Sequence, residues 1–272
     1  MIEALHRLGR IFQPALKQLK EEYRRAPVRH ADETGWRTDG RNGYSWLFCT
    51  DRVSLCLYRQ TRSASVVREV LGEKELEGVL VVDRYNGYNR VQCRIQYCYA
   101  HLMRDVEDLR DEFADQAEVQ SFATTVIPLL ADAMQLYSKP LSDEQYYREA
   151  AKLKRQIERA MKAEARHPGV RTMQDLFVEK AERMYQWASE RRVPADNNRA
   201  ERELRPTVIA RKVSFGSQSE GGAKTRETLM SVMQTLKKRV KDPLREFKQV
   251  LDELALNANL DVVKTVFPAK SG

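Results

Sequence analysis

Apolar positions change their period twice along the chain. From Ile2 through Leu5, Leu8, Phe12, Leu16 and Leu19 to Tyr23 they recur at three- and four-residue steps, the stripe of an amphipathic helix over residues 1–25. Pro14 is expected to kink or divide it. From Pro27 the spacing becomes strand-like. Val28 to Asp32, Tyr44 to Cys49 and Val53 to Tyr58 are candidate strands. Asp39-Gly40-Arg41-Asn42-Gly43 supplies a turn between the first two, and Thr50-Asp51-Arg52 is short enough for a second hairpin. Ser63 opens a short helix to about Leu71, which Gly72 stops. Val79 to Val82 is apolar throughout, as a central strand covered on both faces would be. Ile95 to Tyr99 is a fifth strand.

This order predicts an α/β fold with a mixed five-stranded, ribonuclease-H-like sheet. Asp32 falls on the first strand and Asp83 at the C-terminal end of the fourth, and in that architecture the two strands are neighbours. From His101 to about Arg191 the pattern is helical only. Stripes run through Leu102, Val106 and Leu109, then from Val119 to Tyr137, Leu141 to Ala165 and Met173 to Ala188, with a break at His167-Pro168-Gly169. That is more chain than a crossover needs, so it reads as an all-helical insertion, after which a helix through Glu201 returns to the sheet. A small, polar, flexible stretch over residues 213–222 and two more helices follow. The expected division is an N-terminal helical arm (1–26), the first part of the core (27–105), the insertion (106–192), the second part of the core (193–240) and a C-terminal helix and tail (241–272).

Composition narrows the function classes. Of 272 residues 42% are hydrophobic and 32% charged, and no stretch approaches the roughly 20 apolar residues of a membrane span. The N-terminus lacks the apolar core of a secretory signal, so a cytoplasmic protein is expected. The net charge of +8 sits in one region: between Arg191 and Lys248, 15 Lys/Arg face 7 Asp/Glu, and the rest of the chain balances. A basic C-terminal third favours a polyanionic partner. Cys49, Cys56, Cys93 and Cys98 form no Cys-x-x-Cys pair and read as buried free thiols. Cys93, Cys98 and His101 have a zinc-like spacing, but no fourth ligand follows at a suitable distance.

The candidate chemistry lies in three acids. Asp32 sits in a strand, Asp83 ends one, and Glu201 lies in the helix Asn197-Asn198-Arg199-Ala200-Glu201-Arg202-Glu203-Leu204-Arg205. Two strand positions and a helix can bring three carboxylates to a pair of divalent cations, the arrangement that phosphodiester transfer requires. Glu33 is expected on the opposite side of the strand from Asp32, and Glu203 elsewhere on the helix. Asn197, Glu201 and Arg205 share an i, i+4, i+8 face, with Asn198 beside it, so the amides and the Arg suit a phosphate. His101 is expected at the end of the fifth strand, touching DNA or a moving proton, or else starting a helix with a structural hydrogen bond. Arg104, Arg202, Arg211, Lys212, Ser217 and Lys224 complete the candidate DNA contacts, with the loop laying backbone N–H groups against phosphates. Trp187 is a candidate for base stacking or for core packing.

At these residues the chain resembles the catalytic region of bacterial DDE transposases of the insertion sequence sixty-six family. The matching stretches are Ala31-Asp32-Glu33-Thr34-Gly35-Trp36, the run from Gly78 to Tyr85, Cys98-Tyr99-Ala100-His101-Leu102, the run from Asn198 to Pro206 and that from Arg211 to Ser217. They keep the family's order across residues 28–240. The resemblance implies a DNA transposase using Mg²⁺, with Mn²⁺ able to substitute, and with Asp32, Asp83 and Glu201 as its catalytic acids. Such enzymes hydrolyse DNA at element ends and use the freed 3′-hydroxyl to attack target DNA. The implied partners are double-stranded DNA at transposon ends and at the target, further copies of the chain in a homo-oligomer, and accessory proteins of the same element. The implied location is the bacterial nucleoid. Two departures stand out: Arg84 follows the second Asp where the family usually has Gly, and only about 30 residues precede the sheet, so a DNA-binding N-terminal region is expected to be missing. A structure-specific nuclease on the same fold and a DNA-gripping, inactive remnant are the other readings.

Overall fold

The computed structural model describes residues 2–257 and 259–267. In chain order the elements are α1 (Ile2–Arg25), β1 (Val28–Thr38), β2 (Arg41–Cys49), β3 (Ser54–Arg59), α2 (Ala64–Leu71), β4 (Val79–Val82), a 3-10 turn (Asn86–Tyr88) and β5 (Arg94–Tyr97). Helices follow: α3 (Tyr99–Glu112), α4 (Ala117–Leu136), α5 (Asp143–Met161), α6 (Pro168–Glu179), α7 (Ala181–Met184) and α8 (Gln186–Ser189). The last are α9 (Asn198–Ser214), α10 (Glu220–Arg239), α11 (Pro243–Leu256) and α12 (Val262–Val266). Strands and helices alternate early and helices take over later, an α/β chain with strand pairs of both senses. Two compact units emerge, one of residues 1–76, 87–91 and 199–272, the other of residues 77–86 and 92–198.

In the first unit α1 is one continuous helix, and Pro14 lies inside it without dividing it. β1, β2 and β3 form an antiparallel meander. β1 runs six residues past its expected end at Asp32. Its ladder with β2 continues from His30↔Cys49 to Thr38↔Arg41, which leaves a two-residue turn. Asp39 and Gly40 take positive φ (51° and 71°), as a tight hairpin of this twist requires, so Arg41, Asn42 and Gly43 belong to the strand rather than the turn.

β3 is an edge strand, and an exposed edge must dispose of its N–H groups. Here α10 covers them. Ser54, Cys56 and Tyr58 donate their backbone N–H to Thr235 Oγ1, Ser231 Oγ and Glu227 Oε2 at 3.0, 2.9 and 3.1 Å. The match is geometric: four residues of helix rise about 6 Å and two residues of strand about 6.8 Å. Helix α1 packs along α10, with His6 Nδ1 2.6 Å from Thr225 Oγ1 and Arg239 paired to Glu22 at 2.5 Å. Helix α2 is bounded as its sequence signals: the Ser63 hydroxyl accepts from Ser65 N–H, and Gly72 (φ 79°) closes it on Arg68 O.

In the second unit β4 and β5 pair in parallel from Val79↔Arg94 to Val82↔Tyr97. β5 stops two residues earlier than expected because Cys98 turns into α3: its N–H still reaches Val82 O at 2.8 Å, but that of Tyr99 goes to Ala195 O at 2.8 Å. Residues 99–189 hold helices alone. His167-Pro168-Gly169 is a helix start, with Pro168 in the first turn of α6. The expected stripe from Met173 to Ala188 is three helices, interrupted at Lys180 and Tyr185. Among the described residues no helix is long and apolar enough to cross a membrane.

Candidate active site

Asp32 opens its side chain on a defined face of the meander. Its row pairs with Leu47 of β2, and Leu47 with Cys56 of β3, so these side chains share one face. Helix α9 lies on that face: Ala200 and Leu204 pack against Leu47, Cys49 and Cys56. Glu33 points the other way, as alternation demands. Its side chain, 2% exposed, accepts from the Tyr88 hydroxyl at 2.8 Å and pairs with Arg62 at 2.5 Å.

The rotation of α9 decides where its two glutamates go. At about 100° per residue, Glu201 and Glu203 flank the buried stripe of Ala200, Leu204 and Thr207 on opposite sides. Glu203 reaches the β3 side, accepting from Ser54 Oγ at 2.7 Å and pairing with Lys238 of α10 at 2.7 Å. Glu201 is thereby turned toward β1, the strand of Asp32. Farther along, Arg211 of α9 reaches β1, donating to Thr34 Oγ1 and Gly35 O at 3.1 and 2.7 Å. Both Asp32 and Glu201 are half-buried. Asp32 Oδ1 also accepts the Glu33 N–H at 2.9 Å.

Asp83 belongs to the second unit, one residue past the C-terminal end of β4. It is half-buried, and its Oδ1 accepts the Tyr85 N–H at 3.0 Å. Arg84, which stands where a small residue was expected, is paired with Asp105 of α3. That pairing directs the guanidinium to a helix of its own unit and neutralises it there. His101 is the third residue of α3, not the end of β5, and is half-buried.

Among the expected nucleic-acid contacts, the exposure of Asn197 is corrected, and of the two readings of Trp187 the burial fits core packing. Asn197 precedes α9, is 1% exposed and donates its N–H to Cys98 Sγ at 3.1 Å, so its amide is interior. Trp187 is fully buried against Tyr99, with its indole N–H on Met184 O at 3.0 Å, and presents no ring face to a base. Arg211 is half-exposed and gives one guanidinium nitrogen, Nη1, to β1. Ser217 is half-exposed; its hydroxyl accepts from Trp36 Nε1 at 3.2 Å, and its N–H donates to Arg37 O at 2.9 Å. The loop is thus tied at Ser217 to the end of β1 and its turn. Arg104, Arg202, Arg205, Lys212 and Lys224 are exposed and Asn198 is half-exposed, compatible with a polyanion.

Sequence reasoning missed Lys238 and Ser54, the partners that orient α9. Nothing local marks them, since each lies far along the chain from Glu203. Cys49, Cys56 and Cys98 are buried thiols as read, Cys93 is a half-exposed one, and burial pushes the Cys56 thiol up to about 12.

The chain is similar to an uncharacterized protein, y4qI, of Sinorhizobium fredii, 26% identical over 219 residues, 75% of this chain and 40% of the relative. It thus spans less than half the length of that relative. The model of the transposase IS66 family matches residues 1–225, a span that holds Asp32, Asp83 and Glu201. By that match the chain belongs to the IS66 family of transposases.

Proposed function

We propose that this chain is the catalytic region of a DNA transposase in which Asp32, Asp83 and Glu201 hold a pair of divalent cations. The scaffold in this reading is a ribonuclease-H-like core with the helices of residues 99–189 as its insertion. The observation that carries the reading is the orientation of α9. With Glu203 tied to Ser54 and Lys238, Glu201 is left on the β1 flank, on the face that bears Asp32. The family membership is the second support.

The donor set fits Mg²⁺, with Mn²⁺ as a substitute: three carboxylates, all oxygen donors, each half-buried rather than sealed. When bound, such ions would supply Lewis-acid stabilisation to the attacking and leaving oxygens of an in-line displacement. The residues have separate tasks. Asp32, Asp83 and Glu201 would hold the ions. Arg202, Arg205, Lys212 and Lys224 hold phosphates flanking the reacting one. In the first reaction a water oxygen bonds to phosphorus and the P–O3′ bond breaks, leaving a 3′-hydroxyl. In the second, that hydroxyl attacks a target phosphodiester and displaces its 3′-oxygen. Pairing two element ends calls for more than one copy of the chain, and proteins of the same element are candidate helpers.

The test is joining of DNA taken from either flank of the gene to a target duplex, with Mg²⁺ or Mn²⁺. Asp32→Asn, Asp83→Asn and Glu201→Gln are each expected to abolish joining and to leave DNA retention intact. Normal joining by any one of them removes that residue from the site. Cleavage of branched DNA without joining would establish the nuclease, and binding without either reaction the inactive remnant.

A further inference from the structure

The C-terminus of α9 has a place made for glycine and fills it with phenylalanine. Phe215 has φ 58°, and its N–H closes the helix on Arg211 O at 2.9 Å. Glycine takes that left-handed conformation freely, whereas a bulky side chain is an outlier there. The ring gains no burial in exchange: it is 71% exposed, and Val213 and Ile209 of the same helix are 77% and 62% exposed. Phe215 thus strains the backbone and contributes little packing in return.

Nor is the ring on a slack loop. Gly216 (φ 131°) lies so close to β1 that a Cβ there would sit 2.2 Å from Arg37 O. Ser217 N–H donates to Arg37 O, and Ser217 O accepts from Asp39 N–H, both at 2.9 Å. An aromatic is therefore held out at a fixed point. The exposed charges flanking the loop are Lys212 before it and Glu220 and Lys224 after it, with Arg205 farther back along α9, a set that is cationic on balance. An apolar partner surface would gain little from that rim, but the flat face of a base between two phosphates matches both ring and charge.

We propose that Phe215 enters the base stack of bound duplex DNA and opens one base step, while Lys212 and Lys224 hold the phosphates on either side. This rests on the transposase reading and adds to it a contact that reads or distorts the DNA away from the reacting phosphate. The rise of about 1.5 Å per residue puts Phe215 roughly 21 Å along α9 from Glu201. At about 3.4 Å per nucleotide the opened step falls about six nucleotides from the cut.

The experiment places 2-aminopurine at successive positions of a duplex from the gene's own flank and titrates it with the full chain. A fluorescence rise is expected at one step about six nucleotides from the reacting phosphate. Phe215→Gly and Phe215→Asn should lose the rise and bind about tenfold more weakly, and Phe215→Trp should keep both. Phe215→Gly should melt at the same temperature or higher, since glycine relieves the left-handed backbone, whereas a merely structural ring would lower it. A rise that persists in Phe215→Gly overturns the proposal, as does its absence at every position of a duplex that wild type binds. Loss of self-association with unchanged DNA affinity would make the ring a protein contact and overturn it equally. If wild type retains no DNA at all, the transposase reading fails first and this inference with it.

Discussion

Lys238→Met should expose how α9 is held. The Lys238 ammonium donates to Thr50 O at 2.6 Å and Val53 O at 2.8 Å and pairs with Glu203 Oε1 at 2.7 Å, which occupies all three of its protons. The two side chains are only 13% and 17% exposed, so water cannot take over when one partner goes. Methionine keeps most of the stem and its packing. It leaves Glu203 without its cationic partner and takes the ammonium from Thr50 O and Val53 O, the latter keeping the Thr50 N–H at 2.9 Å. Breaking a buried pair from one side costs about 3–5 kcal/mol, and with the stem preserved the lower end, ~3 kcal/mol, is expected. For a chain of this size each kcal/mol moves the midpoint by about 2–4 °C, so Tm should fall by ~6–12 °C. Glu203→Gln alone should cost less, because an amide oxygen still accepts from Ser54. The double variant should lose at least about 1 kcal/mol less than the sum of the singles, since the second change removes the charge that the first stranded. Thermal and urea unfolding followed by circular dichroism measure all three. Joining activity should fall more steeply than DNA retention in Glu203→Gln, because Glu201 turns with the helix. Additive singles, or a Lys238→Met midpoint within a degree of wild type, would refute the claim that this pair sets the rotation of α9.

Three further outcomes are expected. Gly216→Ala forces a Cβ to 2.2 Å from Arg37 O at a left-handed backbone, and should cost about 3 kcal/mol or more and speed hydrogen exchange of the Asp39 and Ser217 amides. Trp187→Ala should cost about 3–5 kcal/mol through the cavity it leaves, while DNA retention at a permissive temperature stays unchanged; a selective loss of DNA binding would restore the indole as a contact. The Glu118 carboxylate accepts the N–H groups of His167 and Arg166 at 3.0 and 2.7 Å, which holds its pKa below the usual 4.5. A lowered carboxyl pKa contributes stability above the unfolded value that is lost as pH falls through the folded one. Exchange at those two amides should therefore rise below about pH 4.5, and Glu118→Ala should show the fast exchange already at neutral pH with no acid step.

Where the sequence could be read and where it could not follows from what covers each element. β4 was legible because four apolar residues in a row, all buried, have no other use. α2 was legible from its cap residues Ser63 and Gly72. The second half of β1 was not, because its alternation is polar. Thr34 faces α9 through the Arg211 guanidinium and Glu33 is satisfied by Arg62 and Tyr88, so neither half of the pattern reads as hydrophobic. The break at Tyr185 carries no Gly or Pro; it is made by backbone acceptors, since Met184 O takes the Gln96 amide, the Tyr99 hydroxyl and the Trp187 indole. Of the acids, periodicity sent Glu33 and Glu203 away from the site without help from coordinates. Asn197 was read as part of the helix but lies one residue before it, because the helix begins at Asn198 and the Asn197 N–H is taken by Cys98 Sγ.

The placement of Glu201 rests more on polar ties than on the apolar core beneath it. Under α9 that core is small: Ala200 and Leu204 are its only fully buried apolar residues, worth together about 2–4 kcal/mol by area. A small, smooth contact leaves a helix free to roll about its axis, since an alanine and a leucine pack nearly as well at several rotations. What removes that freedom is directional. Glu203 is held by Ser54 and Lys238 on one flank, and Arg211 by Thr34 and Gly35 two turns on. The Glu203 anchor meets β3 at Ser54, a strand whose own position is set by the three donor–acceptor contacts to α10, while the Arg211 anchor meets β1. A roll of one residue, about 100°, would exchange Glu201 for its neighbour and carry the carboxylate off the β1 flank. Substitutions at Thr235, Ser231 or Glu227, none of which is a candidate ligand, should therefore reach the chemistry through β3 and α9. An apolar substitution of equal cost elsewhere in the core should lower stability without separating joining from DNA retention.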